Sequence, residues 1–137
     1  KGTVLDRSEV IAQGSHEQPE REGLKWKAVD LFKPWGVEAD GVILSRVLHD
    51  WNDSDAIQIL RHARASLSAG GRLFVVEMLL PEEGGSGGLC DLHLLMATGG
   101  EERTASQYQK LLEASGFEFL QVKNLAALPS VLVGIAK

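Results

Sequence analysis

The chain has 137 residues, 44 % hydrophobic and 24 % charged, with 14 Lys+Arg against 19 Asp+Glu and a formal net charge of −5. That length and composition suit one globular domain with a real core, and the acidic balance excludes a protein that holds nucleic acid by neutralising phosphates. No apolar stretch approaches the roughly 20 residues that span a bilayer, no signal-peptide pattern opens the sequence, and Cys90 is alone, so the expectation is no membrane, no disulfide and a cytoplasmic location.

Residues 1–6 read as a short buried strand closing on Asp6. A chain that begins inside a strand is expected to be a piece of something longer. Residues 8–13 suit a short helix capped by Ser8, and 15–23 are polar, contain Pro19 and read as loop. Residues 24–30 alternate apolar and charged side chains, a strand pattern of period two. Residues 39–45 are rich in β-branched side chains and are expected to form a strand buried on both faces. The polar run 52–55 caps a helix over 56–67, with Arg61 and Arg64 facing water. Residues 68–71 are expected to end it, a glycine taking the left-handed turn. Residues 72–77 form the most hydrophobic strand and close on Glu77; 81–88 are a glycine-rich loop. Helices are expected over 89–97 and 104–115, the latter stopped by Gly116, and strands over 117–123 and 131–136.

Strands alternating with helices imply an α/β sheet with helices on both faces. In such sheets the functional crevice lies beyond the carboxyl ends of the strands, where this pattern puts Asp6, Asp30, Ser45 and Glu77. A carboxylate like Asp6, at the end of an early strand, suits the two hydroxyls of a ribose, whether the cofactor is a nicotinamide nucleotide or S-adenosylmethionine. His49 falls between a strand end and a capped helix. From there it reaches the crevice, and its ordinary pKa near 6.5 suits proton abstraction at neutral pH. His16, in a polar loop, and His62, on a helix, read as structural or exposed residues. No His, Cys and Asp cluster has metal-ligand spacing.

His49-Asp50-Trp51 after an apolar strand, Glu77 closing the next, and Gly99-Gly100-Glu101-Glu102-Arg103-Thr104 further on form a pattern in their order and spacing. From about residue 3 to its end, the sequence resembles the S-adenosylmethionine-dependent small-molecule O-methyltransferases. That group includes the plant caffeic acid and flavonoid enzymes, acetylserotonin O-methyltransferase and carminomycin O-methyltransferase. The resemblance implies a Rossmann-like class I methyltransferase sheet that here lacks its first strand and glycine-rich loop. Residues 1–137 would then be a partial cofactor-binding catalytic domain, with those elements and a helical dimerisation domain lying before Lys1. The parent is expected to be a homodimer, and the 137 residues alone to bind cofactor poorly and not turn over.

By the same resemblance Asp6 would hold the ribose, with Asp30 hydrogen-bonding and Leu31 packing against the adenine. Ser45 stands where plant relatives carry a lysine that contacts the cofactor. His49 would be the general base, Asp50 and Trp51 shaping the cofactor site around it, and Glu77 and Glu102 would hydrogen-bond and orient the imidazole. His93, Met96 and Ala97 would line the pocket of an acceptor, expected to be a small aromatic hydroxyl. Two other readings compete. A nicotinamide-dependent oxidoreductase should show a Tyr-x-x-x-Lys pair, for which Tyr108 and Lys110 are too close in sequence. A non-catalytic methyltransferase-like association domain would not need His49, Glu77 and Glu102 together.

Overall fold

Parallel pairing organises the start of the chain. In a computed structural model that describes residues 1–17, 22–83, 100–126 and 129–137, strand β1 (Gly2–Asp6) pairs in parallel with β2 (Leu24–Ala28), and Asp6 stands opposite Ala28. Helix α1 (Ser8–Glu17) joins them and packs on both strands. It does not stop at residue 13. A β-carbon on Gly14 would stand 2.8 Å from the Trp26 ring, so the absence of a side chain there lets the helix close over the indole. Gln13 Nε2 also donates to Glu17 Oε1 at 2.9 Å across the last turn. These elements lie in a unit spanning Lys1–Trp35; Gly36–Lys137 form a second.

The second unit contains a four-stranded sheet in the order β3-β4-β8-β7, built from β3 (Ala39–Ser45), β4 (Leu67–Glu77), β7 (Phe117–Asn124) and β8 (Ser130–Ala136). The β3–β4 pair is parallel, with Ser45 opposite Val76. β8 runs antiparallel to both β4 and β7. Helix α2 (Asp53–Ala65) packs on β4, helix α3 (Ala105–Ala114) packs on β7, and the two helices touch each other. Ile59, Leu60, Leu73, Val75, Leu112 and Leu132 are fully buried in the core between these layers. Two-residue strands β5 (Leu79–Leu80) and β6 (Arg103–Thr104) pair in parallel just beyond β4. Among the described residues no helix is long and apolar enough to cross a membrane.

Several expectations need correction, beginning with the first strand, of which no residue is buried. The strand over 39–45 forms with those bounds, but it is not buried on both faces. Within this unit β3 pairs with β4 at the end of the strand order, Leu44 points inward, and Ile43 is 69 % exposed. The helix expected over 56–67 runs instead over Asp53–Ala65, because the Asn52 side chain caps it by accepting the Asp55 amide at 3.1 Å. Its end is closed by Ser66, not by residues 68–71. Those residues belong to β4, where the register jumps from Ala39 opposite Leu67 to Gly41 opposite Arg72, and Gly70 supplies the left-handed backbone (φ 79°) of that irregularity. The helix over 104–115 is realised with a reciprocal cap between Thr104 and Gln107, and Gly116 ends it at φ 88°. The helix expected over 89–97 lies outside the described residues, as does most of the glycine-rich loop.

Candidate active site

The turn that carries His49 is set by two neighbouring parallel strands. β3 ends at Ser45, and Arg46 follows with a left-handed backbone (φ 54°), its amide donating to the Val76 carbonyl at 3.0 Å. A non-glycine residue in that region is strained and persists when its surroundings hold it there. The chain then makes one 3-10 turn, Leu48–Asp50, which buries Leu48 and His49. Because Ser45 stands opposite Val76, Glu77 arrives beside this turn. Its Oε1 accepts the amides of Val47 at 3.1 Å and Leu48 at 3.0 Å. Its Oε2 lies 2.7 Å from His49 Nδ1 and 3.3 Å from Arg46 Nη1. A buried carboxylate is tolerated when its lone pairs are used in this way.

His49 is only 5 % exposed, and its second nitrogen, Nε2, lies 3.3 Å from Asp50 Oδ1. The hydrogen bond to Glu77 raises the pKa of the imidazole above 6.5, while burial and the Arg46 charge act in the opposite direction. Glu102 joins the cluster through Arg46, whose Nη1 lies 3.4 Å from Glu102 Oε1. Burial pushes the Glu102 carboxyl up, and the Arg46 and His49 charges partly offset that. Glu77 therefore holds the ring directly, and Glu102 enters by way of Arg46.

Arg103 had no role in the sequence reading beyond its place in a motif, yet it is the most heavily used side chain nearby. It is 1 % exposed. Its Nε donates to Asp53 Oδ1 at 2.9 Å, Nη1 to the Leu48 carbonyl at 3.1 Å, and Nη2 to the Trp51 carbonyl at 2.8 Å and Glu101 Oε1 at 3.0 Å. The carbonyls on both sides of His49 are thus tied to one planar fork, a geometry that lysine cannot reproduce. The guanidinium also sits 5.8 Å from the centre of the Tyr108 ring, whose hydroxyl pKa is pushed up by burial. An arginine in an otherwise apolar stretch three residues before His49, and another directly after Glu102, were the signals available for Arg46 and Arg103.

The other expected site residues are placed as follows. In the first unit, Asp6 closes β1, and its Oδ1 accepts the Arg7 amide at 2.7 Å. Asp30 lies past β2 in a turn, its Oδ1 accepting the Phe32 amide at 3.0 Å and Lys33 lying 3.4 Å from Oδ2. Leu31 is half-buried, and its carbonyl accepts the Trp35 indole N–H at 3.3 Å. In the second unit, Ser45 is exposed at the end of β3, Asp50 is half-buried beside His49, and Trp51 is held by its carbonyl. The structure brings His49, Asp50, Glu77 and Glu102 into one cluster. His93, Met96 and Ala97 lie outside the described residues.

Residues 1–118 match the O-methyltransferase domain family. The chain is similar to phenazine O-methyltransferase PhzM of Lysobacter antibioticus, 41 % identical over 105 residues that are 75 % of this chain and 31 % of that protein. It is 36 % identical to acetylserotonin O-methyltransferase of Gallus gallus over 138 residues, 96 % of this chain and 40 % of the relative. The crystal structure of human N-acetylserotonin methyltransferase, solved in complex with SAM, superimposes with a TM-score of 0.90 at 34 % identity, covering 98 % of this chain and 40 % of that one. The chain thus spans well under half the length of these relatives, and shares their α/β fold. It belongs to the O-methyltransferase family.

Proposed function

We propose that this chain is the catalytic part of an S-adenosylmethionine-dependent O-methyltransferase that methylates a hydroxyl of a small aromatic molecule, with His49 as the general base. The observation that carries the reading is the 2.7 Å contact between His49 Nδ1 and the fully buried Glu77, at the carboxyl end of a parallel strand pair.

S-adenosylmethionine, when bound, supplies a methyl carbon already activated by a sulfonium charge. The residues present fit such a group. Asp6 offers a carboxylate at a strand end, one oxygen fixed by the Arg7 amide, which is the chemistry a ribose diol requires. Asp30 and Leu31 would meet the adenine, and Ser45, Asp50 and Trp51 would contribute further cofactor contacts. His93, Met96 and Ala97 would line the acceptor pocket.

The protein's own work is to align the acceptor oxygen, take its proton and exclude water. A phenol has a pKa near 10, within reach of an imidazole. With Nδ1–H donating to Glu77, Nε2 is left as the nitrogen that receives the acceptor's proton, and Glu77 stabilises the imidazolium that forms. Asp50 Oδ1, 3.3 Å from Nε2, is placed to accept the new N–H. Full-length protein incubated with methyl-labelled S-adenosylmethionine and a panel of phenols should place the label in an O-methyl group. Transfer to no hydroxyl in the panel, or to amines alone, would contradict the proposal.

A further inference from the structure

Arg46 sits where the site's two glutamates can be reached at once. Its left-handed backbone (φ 54°) turns the chain sharply after β3, and a single nitrogen, Nη1, lies 3.3 Å from Glu77 Oε2 and 3.4 Å from Glu102 Oε1. Glu77 Oε2 is the same oxygen that binds His49 Nδ1 at 2.7 Å. One carboxylate oxygen is therefore divided between a guanidinium and an imidazole. The side chain is 39 % exposed while Glu77 is fully buried, so the cation reaches inward to the carboxylates.

We propose that Arg46 is a positioning residue for His49, sharing the Glu77 carboxylate so that the imidazole is oriented by Glu77 without holding its proton too tightly to act as a base near neutral pH. This rests on the reading of His49 as the base.

The physical argument is a balance of charges. A carboxylate against an imidazole favours the imidazolium, and a neighbouring cation disfavours it. Among the described residues the charged groups around the ring are Glu77 from β4, Arg46 from the turn after β3, Asp50 from the 3-10 turn and Glu102 from the segment before α3. Arg103 is bound to Asp53, Glu101 and backbone carbonyls, with Tyr108 beneath it. Three of the groups near the ring are negative, and Arg46 is the cation set against them. Both directions appear in the site: Glu77 raises the imidazole pKa and Arg46 lowers it. Arg46 also lowers the Glu102 pKa, keeping that carboxyl closer to its charged form.

The test is the titration of His49 in full-length protein with labelled histidine, its NMR signal assigned by its loss in H49Q. In R46Q the titration should move to higher pH, and the acid limb of the kcat profile should move with it. R46K covers the case in which R46Q does not fold: the lysine side chain is shorter, so its ammonium ends farther from the two carboxylates than Nη1 does, and the titration should move the same way by less. A titration that moves up while the kcat limb stays fixed upholds the role of Arg46 on the ring and removes His49 as the base. A titration that is unchanged, or that moves down, overturns the inference.

Discussion

Gly100 and His49 meet through their backbones. A β-carbon built on Gly100 would fall on the His49 carbonyl oxygen and stand 2.7 Å from the Asp50 carbonyl carbon, and the Glu101 amide donates to that same His49 carbonyl at 2.9 Å. The segment preceding α3 therefore holds the 3-10 turn by direct backbone contact, which only glycine permits.

It follows that G100A should displace the turn and lose stability. Overpacking of this kind costs about 1–3 kcal/mol or more, because neither backbone can retreat as a flexible side chain would. Chemical denaturation of the full-length variant should show a lower midpoint, accompanied by reduced turnover. Wild-type stability in G100A would mean that the turn yields freely and is not fixed by this contact.

Arg103 supplies the second hold on the turn. Removing its side chain breaks its ion pairs with Asp53 and Glu101 and its hydrogen bonds to the carbonyls of Leu48 and Trp51. Hydrogen bonds to a charged group contribute roughly 1.5–3 kcal/mol each, and the two acid partners are 66 % and 45 % exposed, so R103A should unfold at lower denaturant mainly through the lost ties to the turn. R103K should recover only part of the difference, since the charge returns without the planar fork. Equal stability of R103K and wild type would show that charge alone matters here.

The pH dependence follows from His49. Its pKa in the folded protein lies above the ordinary 6.5, chiefly through the hydrogen bond to Glu77. That bond's contribution to stability is fully present below pH 6.5 and is lost as pH rises through the raised value. Turnover has the opposite sign, because the base must be neutral, so kcat should rise with pH along an acid limb centred above 6.5. E77Q puts an amide where Nδ1–H needs an acceptor and favours the wrong tautomer, and kcat should fall on the order of 10²- to 10⁴-fold. A limb centred at or below 6.5 in the wild type, or an E77Q enzyme of unchanged kcat, would contradict this account.

Asp6 is expected to act on binding rather than on chemistry. Hydrogen bonds to a charged group contribute roughly 1.5–3 kcal/mol, so D6A should raise the Kd for S-adenosylmethionine by roughly 10- to 100-fold, measured by calorimetry. An unchanged Kd would remove Asp6 from the cofactor site.

Elements with a clean local signal were legible in the sequence. The strand Ala39–Ser45 and the helix before Gly116 follow from β-branched content and from a terminating glycine. Ambiguity entered where a local rule had two uses. Gly70 and Gly71 suit a helix end, but the register of β4 on β3 places them in a strand irregularity. The pairing of Glu77 with His49 was legible through the family resemblance, with Glu77 closing a strand and His49 lying between a strand end and a capped helix. The routing of Glu102 through Arg46 was not, because it depends on the two-residue pair β5–β6 and on a left-handed arginine, neither of which has a periodic signature. The buried Arg103 was hidden for a related reason, since sequence pattern treats arginine as a surface residue and only tertiary contacts reveal a full set of partners.

The central claim is that the His49 imidazole takes the acceptor's proton. It is tested most directly by H49Q in the full-length protein, measuring S-adenosylmethionine binding and single-turnover methyl transfer on the same sample. The account predicts unchanged cofactor affinity with transfer slowed on the order of 10²- to 10⁴-fold, the contribution of a positioned base. Transfer at the wild-type rate with His49 replaced would contradict it.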